Sequence, residues 1–122
     1  MSESSHSGKR YDLEERTFQF AQDVRGFGKQ LPRTLGNIED VRQLLRASGS
    51  VGANYIEANE SLSKKDFVMR IKISRKESKE SRYWLRLIDT AGAGALEKQR
   101  ASLIQESTEL MNIFGAIVRK SE

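Results

Sequence analysis

The chain has 122 residues, no cysteine, one histidine and a formal net charge of +4. This length suits a single domain that can bury a core without metal or disulfide support. The missing cysteines exclude disulfides and thiol chemistry, and the single histidine, His6, lies before the first predicted helix. That placement excludes Ser-His-Asp catalysis and histidine-based metal sites in the folded part.

The first residues, 1–8, are small and polar, and they lack the apolar middle of a secretory signal. They predict a disordered lead-in over residues 1–11, followed by one folded unit over residues 12–120. The longest apolar runs of the chain are only a few residues and are too short for a membrane span. We therefore expect a cytoplasmic protein with no membrane contact.

The first predicted helix runs from about Asp12 to Gln30, where apolar residues recur at helical spacing until Pro32 interrupts the pattern. The second runs from about Ile38 to Ala58, with Asn37 as the expected N-cap. Small residues interrupt the apolar side of this second helix, and they predict close approach of a neighbouring backbone: Gly49, Gly52 and Ala53.

The third helix begins after Ser63, whose hydroxyl can cap it, and carries three rows of residues at spacings of three and four. A row of apolar and small residues is expected to face the core and to pack closely on the second helix: Phe67, Ile71, Ser74, Ser78, Ser81, Leu85 and Ile88. One flank carries a basic stripe: Lys72, Arg75, Lys79, Arg82 and Arg86. The other flank carries an interface row: Ile73, Glu77, Glu80, Trp84 and Leu87. A helix with two marked flanks is expected to meet more than one neighbour.

Positive charge is concentrated on this third helix. Residues 63–90 contain nine lysines and arginines against four acids, whereas the other predicted helices are nearly neutral. A local excess favours contact with a polyanion, although such a flank can also be simply solvated. Trp84 could stack on a base, but its spacing with Ile73 and Leu87 favours packing or a subunit contact. Tyr83 is expected to be exposed.

After a glycine-rich linker at residues 91–95, with Gly92 as the expected C-cap, a fourth amphipathic helix runs from about Leu96 to Lys120. Arg119 and Lys120 lie at its end, where the helix dipole favours cations. Four helices with short connections predict an all-α fold, an antiparallel up-down-up-down four-helix bundle.

Carboxylates are the remaining candidates for chemistry. If Glu57, Glu77 and Glu80 met inside the bundle they could bind a hard cation, but ion pairs of Glu77 and Glu80 with a neighbouring Arg or Lys are the better interpretation. The sequence predicts no catalytic residue, no metal site, no cofactor and no small-molecule substrate.

Several segments resemble a known family. They are residues 50–58 (SVGANYIEA), residues 63–67 (SKKDF), and the pattern of Lys72, Lys76, Glu80 and Trp84 with their neighbours. The chain is similar over residues 11–120 to small bacterial four-helix-bundle proteins first recognised in intervening sequences of 23S ribosomal RNA genes. The glycines at 26 and 28 and the 91–95 linker depart from that pattern.

The resemblance implies a homopentamer of bundles without catalytic residues. A relative, the accessory protein of diversity-generating retroelements, has this architecture and associates with nucleic acid and a reverse transcriptase. Two functions stay open from the sequence. One is association with RNA or DNA through the basic stripe, and the other is a protein-binding scaffold without direct nucleic-acid contact.

Overall fold

The computed structural model describes the backbone of residues 8–122 and the side chains from Leu13 onward. This part of the chain forms four helices: α1 (Gly8–Lys29), α2 (Leu35–Asn59), α3 (Lys64–Leu87) and α4 (Gly94–Ser121). Each helix packs against the next, and α4 packs back against α1. The predicted four-helix bundle is therefore confirmed. The first seven residues of the expected lead-in lie outside the described residues, and α1 begins at Gly8 rather than Asp12.

The start of α2 is tied to the end of α3 by one buried amide. Thr34, not the expected Asn37, caps α2, because its hydroxyl accepts from the backbone N–H of Asn37 at 3.1 Å. The Asn37 side chain instead donates to the carbonyls of Pro32 at 2.9 Å and Asp89 at 2.8 Å, and it accepts from the N–H of Asp89. These bonds fix the two helices antiparallel.

Of the two caps predicted for α3, the structure confirms the N-cap but not the C-cap. The expected cap at Ser63 is confirmed, since its hydroxyl accepts from the backbone N–H of Asp66 at 3.1 Å. At the other end the C-cap is Ile88 in an extended conformation, not Gly92. Gly92 lies in the following turn with φ 75°, a region that glycine enters without steric cost.

The core row of α3 is buried as predicted, with Phe67 half-buried at its first turn. The contact between α2 and α3 is close, because the Ser74 hydroxyl donates directly to the backbone carbonyl of Val51 at 2.9 Å. The hydroxyls of Ser78 and Ser81 donate to carbonyls of their own helix, so these buried polar groups are satisfied.

The small residues of α2 do not face α3, contrary to the prediction. A Cβ atom on Gly52 would lie 2.9 Å from Oγ1 of Thr17, and one on Gly49 would lie 3.8 Å from Nη2 of Arg25, so both glycines face α1. Ala53 is exposed. The physical reason is the turn of about 100° per residue, which places Gly52 on a different side from its neighbour Val51.

None of the four described helices combines the length and the apolar character needed to cross a lipid bilayer.

Candidate nucleic-acid interface

The basic stripe follows the flank of α3 that adjoins α4. Its side chains are exposed except that of Arg82, which is half-buried. From Lys72 to Arg86 the stripe extends about 21 Å, given a rise of about 1.5 Å per residue. The structure thus presents the five cations along one line on one side of the bundle.

Contacts across the groove between α3 and α4 leave most of the stripe available. Lys72 pairs with Glu122 at 3.1 Å, and Nη1 of Arg82 donates to the hydroxyl of Thr108 at 3.2 Å. Within the described part of the chain, the other three stripe residues have no ion pair or side-chain hydrogen bond: Arg75, Lys79 and Arg86. Residues of α4 opposite the stripe include Thr108 and Gly115, neither of which is acidic.

Two acidic residues of α4 form ion pairs with α1 instead of with the basic stripe. Arg16 of α1 binds Glu106 at 2.7 Å and Glu109 at 2.6 Å, and hydrogen bonding to Glu106 holds the pKa of Arg16 well above its ordinary value. Hydrogen bonds from Gln105 and then from Arg16 lower the pKa of Glu109. Glu106 also lines a cleft of about 1320 Å³ between α1 and α4. Glu106 and Glu109 are therefore paired on the side of α4 that faces α1.

The interface row lies on the opposite flank of α3, towards α2. Arg46 of α2 approaches Glu77 at 3.8 Å and Glu80 at 3.4 Å, which confirms the expected pairing with a basic residue of a neighbouring helix. Glu77 is buried, and its Oε1 atom has no hydrogen-bond partner among the described residues. Burial, and then the charge of Glu80, raises the pKa of Glu77.

The apolar members of the interface row are partly exposed. Trp84 is half-buried against the core and meets the ring of Tyr83 edge-on, with centroids 5.0 Å apart. Ile73 is half-buried, while Leu87 is 50% exposed and Tyr83, as expected, is 54% exposed. Trp84 is therefore a partly exposed packing residue, not a fully exposed stacking platform.

Among the side chains described from Leu13 onward, no group of three or more His, Cys, Asp or Glu is placed to hold a metal ion. Glu77 and Glu80 share Arg46, and Glu57 is exposed.

Two arginines of α4, Arg100 and Arg119, make contacts with α3 that the sequence does not predict. Arg100 near the start of α4 donates to the terminal carbonyls of α3 at Leu85 and Ile88, which would otherwise lack partners. Arg119, interpreted from sequence as a charge at a helix end, lies over Gly115 beside Arg75 of the stripe. In the sequence, Gly115 lies seven residues after Thr108 and four before Arg119. This spacing does not predict the contact of Arg119 with Arg75, because only the packing of α3 on α4 brings the two arginines together.

Comparison with known proteins places this geometry in a family. A solved structure from Bacteroides thetaiotaomicron, described as a protein of unknown function from the S23 ribosomal protein family, is 28% identical to this chain. The match covers 87% of this chain and 97% of that one, with a TM-score of 0.75. No curated protein matches. The sequence model described as 23S rRNA-intervening sequence protein matches residues 9–116. The chain therefore belongs to the 23S rRNA-intervening sequence protein family, as its sequence motifs predict.

Proposed function

We propose that this protein is a non-enzymatic, homo-oligomeric helical bundle that associates with RNA or DNA through the basic stripe of α3. The observation that carries the proposal is the exposure of the stripe along the groove between α3 and α4, where Arg75, Lys79 and Arg86 have no ion pair among the described side chains. Glu122 is the one acid paired with a stripe residue among the described side chains. Contacts of lysine and arginine with phosphates do not read base sequence, so binding is expected to be non-specific.

Assembly strengthens such contacts. A single stripe offers few phosphate contacts, but several copies held in one oligomer bind one nucleic acid with increased avidity. The family resemblance suggests a pentamer, and the interface row is the proposed contact between subunits. Its partly exposed apolar side chains, Ile73, Trp84 and Leu87, support this assignment.

The test is a fluorescence-anisotropy titration with structured RNA at several salt concentrations. The variant Arg75→Glu/Lys79→Glu/Arg82→Glu reverses the centre of the stripe. A matched control, Lys29→Glu/Arg33→Glu/Lys98→Glu, makes the same change of charge at exposed residues outside it. We expect tight binding of the wild type at low salt, a steep loss as salt rises, and a large loss only in the stripe variant.

Equal affinities of the stripe variant and the control, or no binding by the wild type at low salt, would refute the proposal. Light scattering on the same variants separates it from the second candidate function.

The second candidate is a protein-binding scaffold in which the basic stripe pairs with acids of a neighbouring subunit or of a protein partner. It is favoured by the exposed stripe residues that have no ion pair among the described side chains: Arg75, Lys79 and Arg86. In this case the stripe variant would change the mass of the assembly rather than its RNA affinity. Loss of RNA binding with unchanged mass supports the nucleic-acid function instead.

A further inference from the structure

Two arginines from different helices converge over one glycine. Gly115 of α4 is buried, and the side chains nearest to it are those of Arg75 and Arg119. A Cβ atom on Gly115 would lie 3.4 Å from Nη1 of Arg119 and 3.6 Å from Nε of Arg75. By addition of these distances, the two nitrogen atoms lie no more than about 7 Å apart. The missing side chain of Gly115 provides the space in which they meet.

This pair of charges has no counter-charge within the described part of the chain. Neither Arg75 nor Arg119 forms an ion pair or a side-chain hydrogen bond there, and Glu122, three residues after Arg119, is bound to Lys72 at 3.1 Å. Like charges at this separation repel each other, and an anion between them turns the repulsion into attraction. The arrangement is therefore suited to binding an anion.

The geometry indicates which anion. A guanidinium group presents several N–H donors in a planar fork that matches phosphate oxygens, and its charge-assisted bonds are about 2.7–2.9 Å long. One phosphate group that accepts from both arginines spans a gap of this size. Lys79 lies one helical turn beyond Arg75, where it can contact the next phosphate of a continuous backbone.

We propose that Arg75 and Arg119 form an arginine clamp that holds one phosphodiester group of a nucleic-acid backbone in the groove between α3 and α4. The inference rests on the proposed function and adds to it a residue of α4 and a defined subsite. It also gives the groove, rather than α3 alone, the role of the binding surface.

The first experiment compares Arg119→Gln with Lys120→Gln in anisotropy titrations with single-stranded RNA. Both variants remove one positive charge at adjacent, exposed positions, but Lys120 lines the cleft between α1 and α4 instead of the groove. We expect Arg119→Gln to lower affinity about tenfold, the effect of losing a charged hydrogen bond. The slope of log affinity against log salt should fall by about 0.7 for each bound protomer. Lys120→Gln should change affinity less than about twofold, since its side chain lies away from the groove and the distant charge is screened.

A second experiment alters the geometry without altering the charge. Gly115→Leu fills the space between the guanidinium groups, whereas Gly26→Leu places the same side chain where a Cβ atom meets nothing within 4 Å. Circular dichroism on both variants serves as the control for folding. The clamp requires weaker RNA binding by Gly115→Leu than by Gly26→Leu. Similar binding by these two variants, or by the two charge variants, overturns it.

Failure of the clamp is distinguishable from failure of the proposed function. If Arg119→Gln binds RNA like the wild type while the stripe variant does not, the stripe functions without the clamp. If the wild type does not bind RNA at all, both proposals fall. A titration with inorganic phosphate, monitored through the NMR signals of the arginine Nε–H groups, measures the affinity for the free anion. Phosphate binding as tight as RNA binding would identify a free-anion site and contradict a backbone clamp.

Discussion

At the scale of single residues, Glu77 is the least satisfied group of the described chain. Its side chain is 8% exposed, its Oε1 atom lacks a partner, and its nearest cation, Arg46, is 3.8 Å away and shared with Glu80. Burial disfavours the charged carboxylate and raises its pKa. Because the pKa in the folded state lies above the unfolded value, Glu77 lowers stability as pH rises through that interval.

We expect Glu77→Gln to remove this pH dependence. Below the ordinary carboxyl pKa, wild type and variant should respond alike to pH. Above it, the free energy of unfolding of the wild type should fall as the buried group ionises, while that of Glu77→Gln should not. Urea unfolding between about pH 4 and pH 8 measures the difference, and Glu80→Gln, which also removes a partner of Arg46, is the control. Parallel curves for wild type and Glu77→Gln would contradict this account.

Gly52 lies tightly against Thr17 of α1. Alanine there would place a Cβ atom 2.9 Å from Oγ1 and 3.2 Å from Cβ of Thr17, so α1 would have to shift. We expect Gly52→Ala to destabilise the protein by about 1–3 kcal/mol, which exceeds the gain of about 1 kcal/mol in helix propensity.

Gly26→Ala, with nothing within 4 Å of its Cβ atom, should instead stabilise by up to about 1 kcal/mol. The melting temperatures of both variants are the measurement. A higher value for Gly52→Ala would show that the contact of α1 with α2 is not tight at this point.

At the scale of helices, periodicity predicts which side of α3 is buried but not which neighbour covers each flank. The core row and the Ser63 cap follow from spacing and local hydrogen bonding, which depend on residues close in sequence. The placement of Gly52 against α1 and of Arg119 beside Arg75 depends on how separate helices dock. Local sequence predicts Asn37 as a helix cap, whereas its actual partner, Asp89, is distant in sequence.

Asn37 is expected to be the main polar link between α2 and α3 at this end of the bundle. Replacing it with alanine removes three hydrogen bonds and leaves the N–H of Asp89 without its acceptor. We expect Asn37→Ala to lower the free energy of unfolding by about 1–3 kcal/mol, as for other buried polar groups that lose their partners. Asn112→Ala, at an exposed position of α4, is the control in chemical denaturation. If Asn37→Ala and Asn112→Ala were equally stable, the hydrogen bonds of Asn37 would not be the main polar link between α2 and α3.

At the scale of the whole molecule, the two flanks of α3 divide the proposed roles. The interface row faces α2 and the basic stripe faces α4, so subunits could associate on one flank while the other stays open to nucleic acid. Both rows can be predicted from the sequence, because the residues of each recur at helical spacing. The pairing of Arg16 with Glu106 and Glu109 could not be predicted from the sequence, because it depends on how α1 packs on α4.

A substitution at Leu87 tests whether the interface row forms the contact between subunits. It is 50% exposed, so Leu87→Glu should leave the monomer folded while it places a charge in the proposed subunit contact. We expect the mass of the assembly to fall in light scattering and native mass spectrometry, with helical content unchanged. Leu62→Glu makes the same substitution at a residue that is 99% exposed and outside the row. An unchanged mass for Leu87→Glu would place the subunit contact elsewhere.

The engagement of Glu106 and Glu109 by Arg16 has a kinetic consequence. Arg16 neutralises these acids on the side of α1, whereas Arg75, Lys79 and Arg86 have no ion pair among the described side chains. We therefore expect the positive end of the molecule's electric field to lie along the groove. A polyanion exerts a torque on such a body and turns it before the surfaces touch. Encounters are then pre-oriented, so added salt should slow the rate of association more than it hastens release.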